Sequence, residues 1–503
     1  MTKILHLIEG LSFGGAARGV FAAAKFSKRA NGHEHVFMPI SLAKSDLSAK
    51  SLADESGVRL VLTNERSAML AEIESADIVQ LNWWNSPNMD AFLRSGLPAM
   101  RLAGWLHVGG HTSPQVVVPE LLEFLDAIVP TSPYAMQAPA ICGLTESVKK
   151  QKVTLAYGPA DFSRLDGLQK IPHAGFNIGY IGTISFQKMH RDFTAMSSAV
   201  QIPDVKFILC GSGGAELAII SQAKTLSTSD RFEMRGYVQD IKPVLATLDA
   251  YGYPLCEETY ASSELNLQEV MYAGIPVVVF PSGGVRHLVI NDVTGFVVNS
   301  AREYKEALEY LYHNPEERLR IGAAAHQYAS KIFGAQNAAV KLNLVYDNLL
   351  RNPKKQRRWG NDIAPGPAEG ATAFTANLGF TREGNDFHQS FTGKDLEKIL
   401  AAEYRIAHST ELMRMGGVLM YRAYYPNDAY LWFWSGLISM QLGESRSAAS
   451  EFFKSAQLGF EHWRVLWYLS LAAEKIGEQR LANECVQAVE RAAPGFTTNF
   501  AAR

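Results

Sequence analysis

Twelve short apolar runs, most of them stopping at a glycine or a small polar turn, punctuate the sequence before residue 300. The first six are ILHLIEG, HVFMPIS, VRLVLT, ADIVQLN, AGWLHVG and DAIVPTS, with helix-like segments between them. Near His173 the pattern restarts with FNIGYIGTI, VKFILCGSGG, FEMRGYV, DAYGYPL, GIPVVVF and GFVV. Strand and helix in alternation is the rhythm of a parallel sheet covered on both faces. Two such series predict an α/β chain with two successive doubly wound, Rossmann-like domains, at residues 1–170 and 171–351. In sheets of this kind ligands sit at the carboxyl ends of the strands, so both domains should face a shared cleft.

The 503-residue length leaves room for a further domain. An apolar share of 47% with 19% charged residues is that of a globular protein. A formal net charge of −2 argues against bulk nucleic-acid binding. Cys142, Cys210, Cys256 and Cys485 are far apart, form no CxxC pair, and fit reduced thiols with neither disulfide frame nor zinc site. The opening MTKILHLIEGLSFGG has too short an apolar core for a secretion signal and reads as a first buried strand. No run of 18 apolar residues exists, so no transmembrane segment is expected, and the location expected is the cytoplasm.

From Asn352 the texture changes. NPKKQRRWGND is basic and APGPAEGATAFTANLG is rich in small residues and proline, so residues 352–392 read as a linker. KKQRR is read as a solvated charge run, with weak contact to acidic lipid head groups as the alternative. Residues 393–503 lose the strand pattern and read as all-α. Phe433 and Trp467, Leu437 and Leu471, Gly443 and Gly477, and Ala448 and Ala482 each stand 34 residues apart. That period, with small residues where paired helices must approach, resembles tetratricopeptide repeats. The resemblance implies a helical stack that binds a protein partner; a plain packing or dimerisation domain is the competing reading.

Four motifs carry the chemistry. FGGAARG (13–19) joins the first strand to a helix, where glycines let the backbone approach an anion at the helix amino terminus. IGYIGTISFQKMHRDF (178–193) is a strand followed by a basic segment, in which Lys188 or Arg191 offers a cation to a diphosphate. FILCGSGG (207–214) ends another strand in a glycine-rich turn. ELNLQEVMYAGIPVVVFPSGG (264–284) changes from amphipathic helix to buried strand to a Gly pair, and sets Glu264 and Glu269 on the helix.

In order and spacing, residues 1–350 resemble the retaining glycosyltransferases of family 4, which have the GT-B fold. The resemblance is strongest in RGYVQDIKPVLATLDAYGYPL, in LQEVMYAGIPVVVFPSGGVRHLVINDVTGFVV and in the closing helix FGAQNAAVKLNLVYDNLL. It implies that Glu269 is the second glutamate of the family's E-x7-E motif and accepts hydrogen bonds from the donor ribose. The amides of Leu265 and Asn266 would meet the diphosphate. Gly14, Gly15 and Arg18 match the GG-x-x-R loop, Gly182 and Lys188 match the donor-side loop and its lysine, and the backbone of Gly236, Tyr237 and Val238 would meet the base. His107 resembles the first-domain histidine beside the transferred sugar, with His111 as the weaker alternative.

Two positions depart from the family. Ala261 stands where the first glutamate belongs, with Glu264 favoured as its substitute and Glu258 the alternative. Thr183 stands where many members carry an arginine for the phosphates, and whether Arg191 replaces it is open. The implied reaction moves a sugar from a nucleoside diphosphate sugar to an acceptor hydroxyl with retention of configuration. It needs no metal or other cofactor, and the acceptor expected is a protein or an envelope glycan. A sugar-nucleotide epimerase and a catalytically degenerate scaffold are the competing readings.

Overall fold

The computed structural model describes residues 1–360, 363, 366–413 and 416–497. Each of the twelve apolar runs contains a strand: β1 (Lys3–Ile8), β2 (Glu34–Pro39), β3 (Arg59–Leu60), β4 (Ile78–Trp83), β5 (Leu102–Leu106), β6 (Ala127–Pro130), β7 (Phe176–Ile181), β8 (Val205–Cys210), β9 (Phe232–Gly236), β10 (Ala250–Tyr253), β11 (Val277–Val279) and β12 (Gly295–Val297). They form two six-stranded sheets, in the orders β3-β2-β1-β4-β5-β6 and β12-β11-β10-β7-β8-β9. All the strand pairings within them are parallel. Read from opposite ends, the two orders are the same doubly wound arrangement. Each therefore has a switch point, β1/β4 in the first sheet and β7/β10 in the second, where a ligand crevice opens.

The inner strands of both sheets are buried on both faces, which is why they read as continuous apolar runs rather than alternating ones, whereas the edge strands β3 and β9 are partly exposed. Three helices position the site: α1 (Gly15–Asn31) after β1, α2 (Leu265–Tyr272) after β10, and α3 (Ala335–Leu350) near the end of the two-sheet region. The last returns to the first sheet, as the closing-helix reading expected. Its Ala338, Leu342, Val345, Tyr346 and Leu349 lie in the same core as Ile4, Phe21 and Trp105. Polar contacts fix its register. Tyr346 donates to Gln80 Oε1 at 2.5 Å, and Ser27 Oγ donates to Asn343 Oδ1 at 2.6 Å while contacting His35 Nε2 at 2.9 Å.

The chain divides into two compact units. The first holds both sheets, in residues 1–83, 97–112 and 121–357. The second is helical and is not contiguous: Trp84–Gly96 and Ser113–Glu120 join Arg358–Arg503. Within it, Tyr421 donates to Asn85 Oδ1 at 3.1 Å, Asn85 N–H donates to Gln115 Oε1 at 2.9 Å, and Trp359 Nε1 donates to the buried Asp90 at 2.7 Å. Two stretches assigned from sequence to the first domain therefore supply part of the helical core. The side chains that decide this meet partners more than 250 residues away in the chain.

The linker reading needs correction. Four of its residues, 361, 362, 364 and 365, lie outside the described residues, but α4 (Glu369–Leu378) and α5 (Arg382–Thr392) form within it. The small residues are there for packing: Phe374 and Leu378 are fully buried, and a Cβ on Gly370 would stand 2.6 Å from Tyr425 and 2.7 Å from Leu431. KKQRR is held in part. Lys355 pairs with Met100 in an antiparallel bridge, and Arg357 reaches Asp126 at 2.5 Å and the Met100 carbonyl at 2.7 Å. Of this run the Arg357 side chain is withdrawn, at 8% exposed, while the Lys355 and Arg358 side chains stay exposed.

Beyond these come α6 (Leu396–His408), α7 (Val418–Tyr424), α8 (Ala429–Gln441), α9 (Ser445–Gln457), α10 (Arg464–Lys475) and α11 (Gln479–Ala492). The 34-residue offset lays α8 on α10 and α9 on α11. Gly443 and Gly477 close the equivalent turns with φ of +80° and +81°, a left-handed conformation that costs glycine little. At the centre of this unit Arg464 Nε lies 3.2 Å from Glu403 Oε1, with side chains 3% and 0% exposed.

Candidate active site

The site is built around α2. Glu264 caps its amino end and Glu269 lies about one and a half turns on, so the two carboxylates point about 140° apart around the axis. Each meets a different cation. Glu264 Oε2 lies 2.7 Å from Lys188 Nζ and accepts from Tyr253 OH at 2.6 Å. Burial disfavours the Lys188 cation, yet the adjacent Glu264 carboxylate outweighs it and leaves its pKa raised. The Tyr253 hydroxyl is pushed well above its usual range, by burial and then by Glu264, so it remains a donor. Lys188 thus reaches the α2 amino terminus as a fully charged group at the mouth of the β7/β10 switch point.

Glu269 faces the other way. Its Oε1 accepts from Arg164 Nη1 at 3.2 Å, and burial pushes its pKa up to about 7 against the opposing pull of Arg164 and Arg18. Arg164 Nη2 also donates to the Gln239 carbonyl at 2.8 Å, and Arg18 Nη1 donates to the same carbonyl at 3.1 Å. Arg18 Nη2 donates to Tyr237 OH at 2.7 Å, which in turn donates to the Phe13 carbonyl at 3.4 Å. The glycine loop after β1 is in this way joined to the Gly236–Val238 strip after β9. Gly14 is the N-cap of α1, and a Cβ on Gly15 would stand 3.7 Å from Leu265. Asn266 donates to Tyr251 OH at 2.8 Å and to the Ile181 carbonyl next to Gly182.

The alternatives that the sequence left open separate here. Glu264 is in the cluster, whereas Glu258 is exposed on the loop after β10. Arg191 is exposed and lines a depression with Asp192, Ala195 and Gln222, apart from the Lys188–Glu264 pair. Ala261 is 1% exposed, and the Gly283–Gly284 pair packs on this stretch of backbone: a Cβ on Gly283 would stand 2.7 Å from the Ala261 carbonyl oxygen, and one on Gly284 1.7 Å from that of Ser262.

His107 stands at the carboxyl end of β5, its Nε2 at 3.2 Å from Asn82 Oδ1. Asn82 uses its amide N–H on the Leu7 carbonyl, so His107 Nε2 carries the proton. Burial lowers its pKa to about 3, and it remains a neutral hydrogen-bonding ring. His111 is turned to the Tyr134 carbonyl at 2.9 Å and stacks on that ring. The loop before α2 meets these strand ends directly. Gly109 N–H donates to Tyr260 O at 3.1 Å, and Ser262 Oγ lies 2.8 Å from Thr131 Oγ1 and 2.9 Å from Ser132 Oγ.

Arg164 and Gln239 escaped the sequence reading. Arg164 sits in a short turn between the sheets, DFSRLDG, with no periodicity to mark it. The one available signal was an arginine close to the carboxyl end of the connector.

A chain with this geometry can hold an anionic ligand whose charge meets Lys188 and the α2 amino terminus and whose hydroxyls meet Glu269. Residues 169–328, the second sheet and its helices, match the family model described as glycosyl transferases group 1. Among characterised proteins, the chain is 35% identical to the trehalose synthase of Pyrococcus horikoshii over 69 residues, 14% of this chain and 17% of that protein. It is 29% identical over 118 residues to the 2-deoxystreptamine N-acetyl-D-glucosaminyltransferase of Streptomyces fradiae, 22% of this chain and 27% of that protein. The chain thus spans about a quarter or less of the length of these relatives. In three dimensions it is similar to Anabaena HepE, solved in complex with UDP and glucose, with a TM-score of 0.56 at 17% identity, over 69% of this chain and 100% of that one. That likeness is one of fold, and it is the GT-B architecture of two facing doubly wound domains.

Proposed function

We propose that the two-sheet unit transfers a sugar from a nucleoside diphosphate sugar to an acceptor hydroxyl, with retention of anomeric configuration. The observation that carries this reading is α2 itself. One helix presents a lysine-paired carboxylate at its amino end and a second carboxylate, largely desolvated but reachable, beside Arg164 from the connector and Arg18 from the helix after the opposing glycine loop. A buried carboxylate is costly unless it has partners to accept from, and ribose hydroxyls supply them. As the bond from the anomeric carbon to the diphosphate breaks, negative charge builds on the leaving phosphate. Lys188, Arg18 and the α2 amides are placed to stabilise it where a metal ion would otherwise serve. The acceptor oxygen forms the new bond to the same face of the anomeric carbon and its proton passes to the leaving phosphate oxygen. His107, neutral, is placed for a hydrogen bond to the transferred sugar rather than for proton removal.

The helical unit, with its 34-residue period, is read as a tetratricopeptide-like stack that receives a protein acceptor or partner. An envelope glycan is the other acceptor class. Among the described residues no helix is long and apolar enough to cross a membrane, and we place the reaction in the cytoplasm, where sugar nucleotides are made. Loss of the family's glutamate at Ala261 and arginine at Thr183 is what a degenerate scaffold would show, so donor binding decides between the readings.

Thermal unfolding with UDP, GDP, ADP and their sugars tests the donor site. A nucleotide at a hundred times its dissociation constant stabilises the fold by about 2.7 kcal/mol. One base is expected to do so, and Glu269→Ala to abolish the shift. Silence from every nucleotide would move the reading to the scaffold.

A further inference from the structure

Arg164 lies outside every sequence motif quoted above. It belongs to the connector between the sheets, yet its backbone is clamped on the helix that carries Glu269. Phe162 stacks on Tyr272 of α2 with ring centroids 4.1 Å apart and planes 8° apart. Upstream, Gly158 N–H donates to Ser263 Oγ at 2.9 Å, just before α2. The Asp161 carboxylate caps the turn by accepting from Ser163 N–H at 3.1 Å, and the Ala160 carbonyl accepts from Ala335 N–H at 2.8 Å at the start of α3. A guanidinium launched from so fixed a turn has a defined direction. It forks between Glu269 Oε1 and the Gln239 carbonyl, the latter next to the Gly236–Val238 strip.

We propose that Arg164 is a positioning residue of the donor site, holding Glu269 as an anion aimed at the ribose while its other arm fixes the strip that faces the base. The inference rests on the glycosyltransferase reading. Among the charged groups facing Glu269, Arg164 comes from the connector, Arg18 from α1 and Asp161 from the connector; the first two favour the carboxylate and the third opposes it. Arg18 is engaged with Tyr237 and Gln239, and among the described residues it is Arg164 that makes the ion pair with Glu269. The side chains of the pair are 26% and 11% exposed, so a ligand can reach the carboxylate without unfolding the site.

Burial pushes the Glu269 carboxyl up to about 7 even with Arg164 beside it, and removing that cation is expected to move it higher still. If the nucleotide needs the anion, its affinity declines as pH falls through that value, and in Arg164→Gln the decline begins at a higher pH.

The test is isothermal titration of the full-length protein with UDP, GDP and ADP between about pH 5.5 and 8.5, on wild type, Arg164→Gln and Glu269→Gln. The ratio of variant to wild-type affinity cancels the nucleotide's own titration. For Arg164→Gln the midpoint is expected to rise by about one pH unit or more, giving up to about tenfold weaker binding near neutrality with recovery at the alkaline end. Glu269→Gln is expected to flatten the dependence between about pH 6 and 8, and it stands as the independent measure if Arg164→Gln does not fold. A pH-independent ratio for Arg164→Gln overturns the proposal, and so does a wild-type profile retained by Glu269→Gln. If wild type binds no nucleotide at any pH, it is the glycosyltransferase reading that fails.

Discussion

Replacing Lys188 with alanine is expected to lower sugar transfer by roughly 10²–10³-fold, the loss seen when one preorganised charge stabiliser is removed from a reacting oxygen. The Lys188 ammonium is held 2.7 Å from Glu264 with its side chain only 13% exposed, so its field acts in a poorly solvated place. Charge on the leaving phosphate grows toward the transition state, and kcat should fall further than KM rises. Single-turnover transfer from a radiolabelled sugar nucleotide reads this directly. The substitution also strands Glu264, and breaking a buried pair from one side costs about 3–5 kcal/mol. Far-UV circular dichroism must therefore show a folded protein before the rate is interpreted. Lys188→Ala with Glu264→Gln removes the stranded charge: stability should return while transfer stays low. Recovery of transfer in that double variant would make Lys188 a mere partner of Glu264.

The second large effect is expected far from this chemistry. Arg464→Ala leaves the fully buried Glu403 without its cation and should destabilise the helical unit by about 3–5 kcal/mol. Ser390 Oγ and Tyr468 OH, both donating to Glu403 at 3.1 Å, are poor compensation for a lost charge. Burial already pushes Glu403 up to about 7, against Arg464. A carboxyl whose folded pKa lies above its unfolded value of 4.5 favours the folded state most at acid pH, and that favour is lost as pH rises toward 7. Without Arg464 the shift grows, so Arg464→Ala should cost more at pH 8 than at pH 5.5. Urea unfolding followed by tryptophan fluorescence at the two pH values checks this. An apolar pair, Glu403→Leu with Arg464→Met, should recover much of the loss.

The strands were legible because a parallel strand buried on both faces writes itself as an uninterrupted apolar run, as VVV in β11 does. The doubled series of such runs was enough to place two facing domains. Glu269 was legible as a carboxylate inside an apolar helix, and Lys188 as a cation just past a strand end. Other features had no local signal. Whether Glu264 or Glu258 faces the site depends on where a loop returns in space, and Arg164 depends on a stacking contact between Phe162 and Tyr272. The run of small residues at 369–378 misled because alanine and glycine serve a flexible linker and a tightly packed helix equally well. Arg357 within KKQRR was missed for a related reason: a cation in a basic run reads as solvated until Asp126 and the Met100 carbonyl are known to lie beside it.

The non-contiguous make-up of the helical unit bears on how such a protein can be cut or inherited. Trp84–Gly96 and Ser113–Glu120 belong to that unit although they are encoded among the strands of the first sheet. A truncation after Arg357 would leave Asp90 without Trp359 and Asn85 without Tyr421, baring polar groups shaped for absent partners. The carboxyl-terminal helices are thus no detachable module. A lineage that gained them by gene fusion had also to refashion two excursions far upstream in the chain, and an engineer grafting them onto another transferase would have to transplant those excursions as well.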